Sequence, residues 1–200
     1  MSSQTAWQAL FVHAELGDVH AGRASGKRIL VTGASGGVGQ WVVQLAHLAG
    51  AEVIATCGSD NLKLVETLGA KTAINYHATD LREWGQTAQN QVDIVIDCSG
   101  RQALADAWWT VRDGGFLISI VQPPEQVRPI GCKAKDVGNF FFIMQPKGAQ
   151  LEQITKLVEE GKCHPAVDSV WRLEDYKQAF ERADSGHAVG KVVLDLMGTD

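Results

Sequence analysis

The sequence contains no run of lysine and arginine, and its formal net charge is -5. A nucleic-acid surface needs the opposite, clustered positive charge that displaces the counterions of a phosphate backbone. No apolar stretch approaches the ~18 residues of a membrane-spanning helix. The opening MSSQTAWQALF has no basic start, no apolar core and no cleavage site, so no secretory signal is expected. The four cysteines, Cys57, Cys98, Cys132 and Cys163, are far apart and form no C-x-x-C pair, which argues against a zinc ribbon. Free thiols suit a reducing compartment, and the expected location is the cytoplasm. The six histidines are scattered, and none belongs to H-E-x-x-H. Tyrosine occurs only at Tyr76 and Tyr176.

What the chain does have is short apolar runs at regular distances. RILVTG (28–33), EVIAT (52–56), KTAIN (71–75), VDIVID (92–97) and FLISIV (116–121) are rich in Val, Ile and Leu, as strands buried on both faces should be. Helical stripes lie between them. Val38, Trp41, Val42, Leu45 and Ala49 share one face of a helix that stops at Gly50. Leu62, Val65 and Leu68 form a second stripe, with Asp60 as N-cap and Gly69 past the end. Leu104, Ala107, Trp108 and Val111 form a third, ending at Asp113-Gly114-Gly115. Strand and helix alternating at about 20-residue spacing predict right-handed βαβ units and a parallel sheet. After Val121, QPPEQVRPIGCKAKDVGN reads as a long loop. NFFFIM (139–144) is then a strand, and Leu151, Ile154, Leu157 and Val158 stripe a helix ending at Gly161. A strand AVDSVW (166–171), a helix over 173–184 and a strand KVVLDL (191–196) follow.

The stretch VTGASGGVG (31–39) fits three enzyme signatures. As G-x-S-x-G (Gly33, Ser35, Gly37) it is a hydrolase nucleophile elbow, but it follows the first strand, and nothing marks Asp97 and His187 as triad partners. As T-G-x-x-x-G-x-G it matches the short-chain dehydrogenase loop. That chemistry needs Tyr-x-x-x-Lys, and here Asp80 and Phe180 stand four residues after the two tyrosines. As A-x-G-x-x-G (Ala34, Gly36, Gly39) it is a variant dinucleotide fingerprint, following a strand and opening a helix. Gly36, Gly37 and Gly39 can give the tight turn, the approach of pyrophosphate and the helix–strand contact. The helix start offers free N–H groups to phosphates. A glycine-rich turn with no ligand remains the plain alternative.

The second strand ends in Thr56-Cys57-Gly58-Ser59, without the acid that accepts hydrogen bonds from the ribose hydroxyls in NAD binders. Ser59, Lys63 and Tyr76 could hold a 2′-phosphate, which favours NADP(H). Against this, Ser59 could simply cap a helix, Lys63 could be a solvated surface charge, and nearby Asp60 weakens the preference.

The order TAWQAL (5–10), GASGGVGQWVVQLA (33–46), GSDNLKLVETLGA (58–70), INY (74–76), DCSG (97–100), FFIMQPKGAQL (141–151) and the tail from LVEEGK to GKVVLDL resembles the zinc-independent, quinone oxidoreductase-like branch of the medium-chain dehydrogenase/reductase superfamily. The likeness covers almost the whole chain. It implies a Rossmann doubly wound parallel sheet with helices on both faces, plus a C-terminal remnant of a catalytic domain. The implied division is a connector helix (1–22), an NADP-binding domain (23–150) and a segment returning to the catalytic domain (151–200), with the N-terminal catalytic domain itself lacking. By resemblance Gly36, Gly37 and Val38 line the pyrophosphate, and Ser59, Lys63 and Tyr76 hold the 2′-phosphate. Ser99, Val121 and Phe142 lie along the nicotinamide half, and Thr5 reaches the nicotinamide. Zinc-dependent relatives place a cysteine ligand near TAWQAL, and none stands here, so no metal is expected. The implied activity is hydride transfer from NADPH to a quinone or an α,β-unsaturated carbonyl. The alternatives are a catalytically incomplete NADP-binding protein and a partner subunit. Expected partners are the small-molecule carbonyl or quinone, a homodimer paired through NFFFIM, and a complementing catalytic-domain chain, with no nucleic acid and no membrane.

Overall fold

The computed structural model describes residues 1–197. Its centre is a six-stranded sheet of β1 (Arg28–Thr32), β2 (Glu52–Cys57), β3 (Thr72–Asn75), β4 (Val92–Asp97), β5 (Val111–Ser119) and β6 (Gly138–Phe141). All pairings are parallel, and the order across the sheet is β3-β2-β1-β4-β5-β6. This is the classic doubly wound order, in which the winding reverses between β1 and β4.

The strands' apolar runs split between two faces, as a period of two requires. Ile29, Val31, Ile94, Ile96 and Ile118 pack on one side, with α1 (Ser2–Trp7), α2 (Gly39–Leu48) and α6 (Gly148–Glu159). Leu30, Ile54, Val95 and Leu117 pack on the other, with α5 (Arg101–Ala107) and the fully buried Trp108. Two shorter helices, α3 (Leu62–Thr67) and α4 (Leu81–Gly85), complete the crossovers. Among the described residues no helix is long and apolar enough to cross a membrane.

Several expectations need correction. The N-terminal helix does not run through residue 22. Beyond α1 it continues as a wider π-type turn, Gln8–His13, and stops where Glu15 and Gly17 take positive φ angles of 56° and 82°. Val111 belongs to β5, not to the preceding helix. It pairs with Val92, and the register then shifts across Asp113-Gly114-Gly115. Those turn-forming residues stay in the strand because Asp113 Oδ1 accepts from Lys135 N at 2.8 Å and Gly114 N donates to Lys135 O at 2.9 Å. Asp60 caps nothing: it sits in a 3₁₀ turn, Ser59–Asn61, and accepts the Ser59 hydroxyl at 3.0 Å. β6 ends at Phe141. The segment after it is tied to the first helix instead, since Gln8 Nε2 donates to Gln145 O at 2.7 Å and Gln145 N donates back to Gln8 Oε1 at 3.1 Å.

The C-terminal part forms its own βαβ unit. β7 (Val167–Arg172) and β8 (Lys191–Asp195) pair in parallel, joined through α7 (Tyr176–Asp184). They satisfy one another's inner edges, yet Val170 and Phe180 are 64% and 59% exposed. Position 196 of the KVVLDL run falls beyond β8, and residues 198–200 lie outside the described residues.

Candidate functional site

A cleft of about 1350 Å³ opens at the carboxyl ends of the strands, where the winding reverses. Open α/β sheets bind ligands there because the loops diverge to either side. Gly33 and Gly36 line it after β1, Gly58 and Ser59 after β2, Tyr76 after β3, and Ser99 after β4.

The β1–α2 loop is built for close approach. A Cβ on Gly36 would meet only the Gly33 carbonyl oxygen, at 3.2 Å. A Cβ on Gly39 would run into the backbone of Gly33 and Ala34, with Ala34 Cα at 2.7 Å, so Gly39 is what lets α2 lie against β1. No side chain caps α2. Gln40 N and Val42 N donate to the Gly36 and Val38 carbonyls at 3.1 Å, which leaves the N–H groups of Gly37, Val38 and Gly39 and the positive end of the helix dipole facing outward. Gln40 braces the loop by donating Nε2 to Ser35 O at 2.6 Å, while its buried Oε1 has no partner among the described residues.

Beneath the cleft lies a polar tie. Asp97, fully buried at the end of β4, accepts the Thr32 hydroxyl at 2.6 Å from β1 and the Ser119 hydroxyl at 2.7 Å from β5. It also accepts the N–H groups of Ser99 and Gly100 at 3.2 and 3.0 Å. Ser119 Oγ in turn accepts from Val121 N at 3.1 Å. One carboxylate thus sets the backbone that carries Ser99 and Val121. Burial and then the Asp97 carboxylate push the neighbouring Cys98 thiol far above its ordinary value.

The far wall comes from the C-terminal unit, whose residues 186–189 line the cleft together with Arg182. Arg182 Nε donates to Asp168 Oδ2 at 2.8 Å, Val189 N donates to Asp168 Oδ1 at 2.8 Å, and Arg182 Nη2 donates to His187 O at 3.1 Å. The Arg182 guanidinium and then the Val189 N–H hold the Asp168 carboxyl well below the usual carboxylate range. A carboxyl with a lowered folded-state pKa stabilises the fold above its unfolded pKa of about 4, and that contribution fades as the pH falls further. Asp168→Asn should therefore unfold at lower denaturant than the parent at pH 7. The two should converge toward pH 2, which urea titrations across that range will read.

The structure brings Gly36, Ser59, Tyr76 and Ser99 together around the cleft. Tyr76 is 53% exposed, with its hydroxyl over Gly58. Val121 stands beside Gly100 at the same end of the sheet, and Gly37 and Val38 lie in the loop itself. Lys63 is an exposed residue of α3 outside the cleft lining. Thr5 is buried in α1 and donates to Met1 O at 3.1 Å, and the Phe142 ring lies 4.3 Å from that of His13. Arg182 and Arg82 line the cleft without having been singled out in the sequence, and His187, which entered there only through the hydrolase reading, lines it too.

Residues 68–194 match the family model described as zinc-binding dehydrogenase. The chain belongs to the medium-chain dehydrogenase/reductase superfamily. Over 98% of its length it is 48% identical to a probable mitochondrial zinc-binding oxidoreductase of Arthroderma benhamiae, of which it covers 60%. It is 26% identical, over 96% of its length, to the mitochondrial NAD(P)H oxidoreductase RTN4IP1 of Danio rerio, covering 54% of that protein. Among solved structures it resembles the quinone oxidoreductase from Coxiella burnetii, with a TM-score of 0.84 and 28% identity, over 98% of this chain and 58% of that one. The 200 residues thus span a little over half the length of these superfamily relatives.

For this member of the medium-chain superfamily the cytoplasmic expectation does not stand, because the Arthroderma benhamiae and Danio rerio relatives are described as mitochondrial. The reducing-compartment argument does not distinguish an organelle matrix from the cytosol. Among the described residues no three His, Cys, Asp or Glu side chains group as a metal site, while the matched family model is described as zinc-binding. A dinucleotide does fit, given the uncapped α2, the open side of Gly36 and the cleft beside them.

Proposed function

We propose that this chain is the cofactor-binding part of a nicotinamide-dependent oxidoreductase, with NADP(H) as cofactor and a quinone or α,β-unsaturated carbonyl as substrate. The observation that carries the reading is the uncapped glycine loop at the winding reversal, with Gly36 facing the cleft. The names of the relatives agree with oxidoreductase chemistry on a nicotinamide. A bound nicotinamide supplies the hydride, and the protein supplies position and electrostatics. Here α2 and Gly36 would bind the diphosphate, Tyr76 and Ser59 the ribose phosphate, and Ser99 and Val121 would orient the ring. Positioning donor and acceptor is worth about 7–11 kcal/mol in well-aligned cases.

NADP(H) is favoured because β2 ends in Cys57-Gly58 with the Tyr76 hydroxyl above. One observation favours NAD(H) instead: the Asp60 carboxylate lines the cleft and engages the Ser59 hydroxyl. Calorimetric titration of both reduced cofactors separates the two. We expect tighter NADPH binding, weakened by Tyr76→Phe and Ser59→Ala with NADH binding unchanged. Equal affinities in the parent protein would overturn the 2′-phosphate assignment. Failure to bind either cofactor would overturn the function.

A further inference from the structure

The tie on Asp97 joins more than the strand ends. On the β1 side, Thr32 Oγ1 donates to Asp97 Oδ1 at 2.6 Å and accepts from Cys98 N at 3.1 Å, and Gly33 follows directly in the cleft lining. A Cβ on Gly33 would lie 2.6 Å from Ser99 Oγ, so the β1 and β4 loops are in contact there. On the β5 side, Ser119 Oγ donates to Asp97 Oδ2 at 2.7 Å and accepts from Val121 N at 3.1 Å and Gln122 N at 3.3 Å. Gln122 Oε1 then accepts from Arg101 N at 3.0 Å, and Gly100 N, one residue back, donates to Asp97 Oδ1 at 3.0 Å. The bonds close a circuit that runs from Asp97 through Ser119, Gln122, Arg101 and Gly100 back to Asp97.

Packing alone does not require this circuit. Asp97 and Ser119 are fully buried at the ends of β4 and β5, where apolar side chains of similar volume avoid the cost of desolvating a carboxylate. What a paired, directional network adds is one geometry in place of several. The backbone it holds is also strained. Gly100 and Arg101 take φ angles of 71° and 51°, and the left-handed region is unfavourable for a residue with a side chain. Such a conformation persists only where its surroundings over-determine it. A Cβ on Gly100 would meet Val121 Cγ1 at 2.7 Å, so the β4 and β5 loops interlock at the strained point.

We infer that Ser119 is a positioning residue: through it Asp97 couples the β1 glycine loop to the backbone of Ser99 and Val121 and holds the two at a fixed separation. This rests on the cofactor reading above, in which the glycine loop takes the diphosphate and Ser99 and Val121 face the ring. It adds a device that places the nicotinamide without touching it. Misplacing a reacting centre by about 1 Å costs on the order of 100-fold in rate, so the separation of the two loops matters even where affinity changes little. Ser119 is the link to alter, since its hydroxyl joins the carboxylate to the loop after β5, whereas Asp97 also carries the strand ends.

The test titrates the full chain, Ser119→Ala and Ser119→Thr with NADPH and with 2′-phospho-ADP-ribose, the same molecule without its nicotinamide. Ser119→Ala should weaken NADPH by about fivefold, the order of one ordinary hydrogen bond, and leave the ring-free fragment within about twofold of the parent. At saturating NADPH the fluorescence anisotropy of the bound nicotinamide should fall, a reading that a simple loss of stability does not move. Ser119→Thr keeps the hydroxyl and should restore both. Should Ser119→Ala not fold, Gln122→Met cuts the circuit at a half-buried residue, and the same changes are expected in the same direction. An equal loss for NADPH and the fragment, or an unchanged anisotropy, would overturn the inference, because the tie would then hold the strands and nothing more. A parent protein that binds neither NADPH nor the fragment would instead overturn the proposed function.

Discussion

Replacing Asp97 with alanine is expected to destabilise the protein more than any change at the cleft surface. The carboxylate accepts from two hydroxyls and two backbone N–H groups while fully buried. Removing it leaves Thr32 Oγ1, Ser119 Oγ, Ser99 N and Gly100 N without their acceptor. A buried donor left unpaired costs about 1–3 kcal/mol. Water entering from the cleft re-pairs part of the set, so a total loss of about 3–5 kcal/mol is expected. For a chain of this size that is roughly 6–20 °C in melting temperature. The isosteric Asp97→Asn keeps the volume but turns one acceptor into a donor facing donors, and should fall between the two. Urea midpoints give the order directly. A loss below about 1 kcal/mol in Asp97→Ala would mean that the tie across β1, β4 and β5 is not what holds the strand ends in register.

The sheet was legible because its strands are covered on both faces. Ile29-Leu30-Val31 and Ile94-Val95-Ile96 send alternate side chains into two cores, so a continuous apolar run is the only pattern that serves. Where a strand is held by something other than apolar burial, the reading failed. Asp113-Gly114-Gly115 looks like a helix stop, and only the bonds to Lys135, 22 residues from Asp113, keep it extended. α4 went unseen for another reason: five residues show no periodicity. Its start was nonetheless written in Asp80-Leu81-Arg82-Glu83, where the Asp80 side chain accepts from Arg82 N and Glu83 N.

The site divides along the same line. Its near wall comes from loops that directly follow strands, so Gly36, Ser59, Tyr76 and Ser99 could be found by counting along the chain. The far wall arrives more than 80 residues after β4. Nothing local marks Arg182, whose place is set by Asp168 fourteen residues earlier. The Asp97 tie was half visible: DCSG stood out as a motif, but its partners Thr32 and Ser119 lie on two other strands.

Gly36→Val and Gly39→Ala, two changes three residues apart, should fail in opposite ways. Gly36 has open space on its Cβ side apart from the Gly33 carbonyl at 3.2 Å, and its φ is not in the left-handed region. Valine there should leave the melting temperature within a few degrees of the parent. Its branched side chain would occupy the approach to the α2 amino end and hold phosphate oxygens out of N–H range. Losing one such charge-assisted bond corresponds to about tenfold or more in cofactor affinity, and losing two to about 100-fold or more. At Gly39 the added carbon meets backbone on three atoms, and no side-chain rotation relieves it. The helix must move off β1, an overpacking that costs about 1–3 kcal/mol, and the glycine loop moves with it. Gly39→Ala should thus lose stability and binding together, whereas Gly36→Val loses binding alone. Paired melting curves and NADPH titrations of the two variants separate these outcomes. If Gly36→Val took up cofactor as the parent does, the ligand would have to lie elsewhere than over this loop.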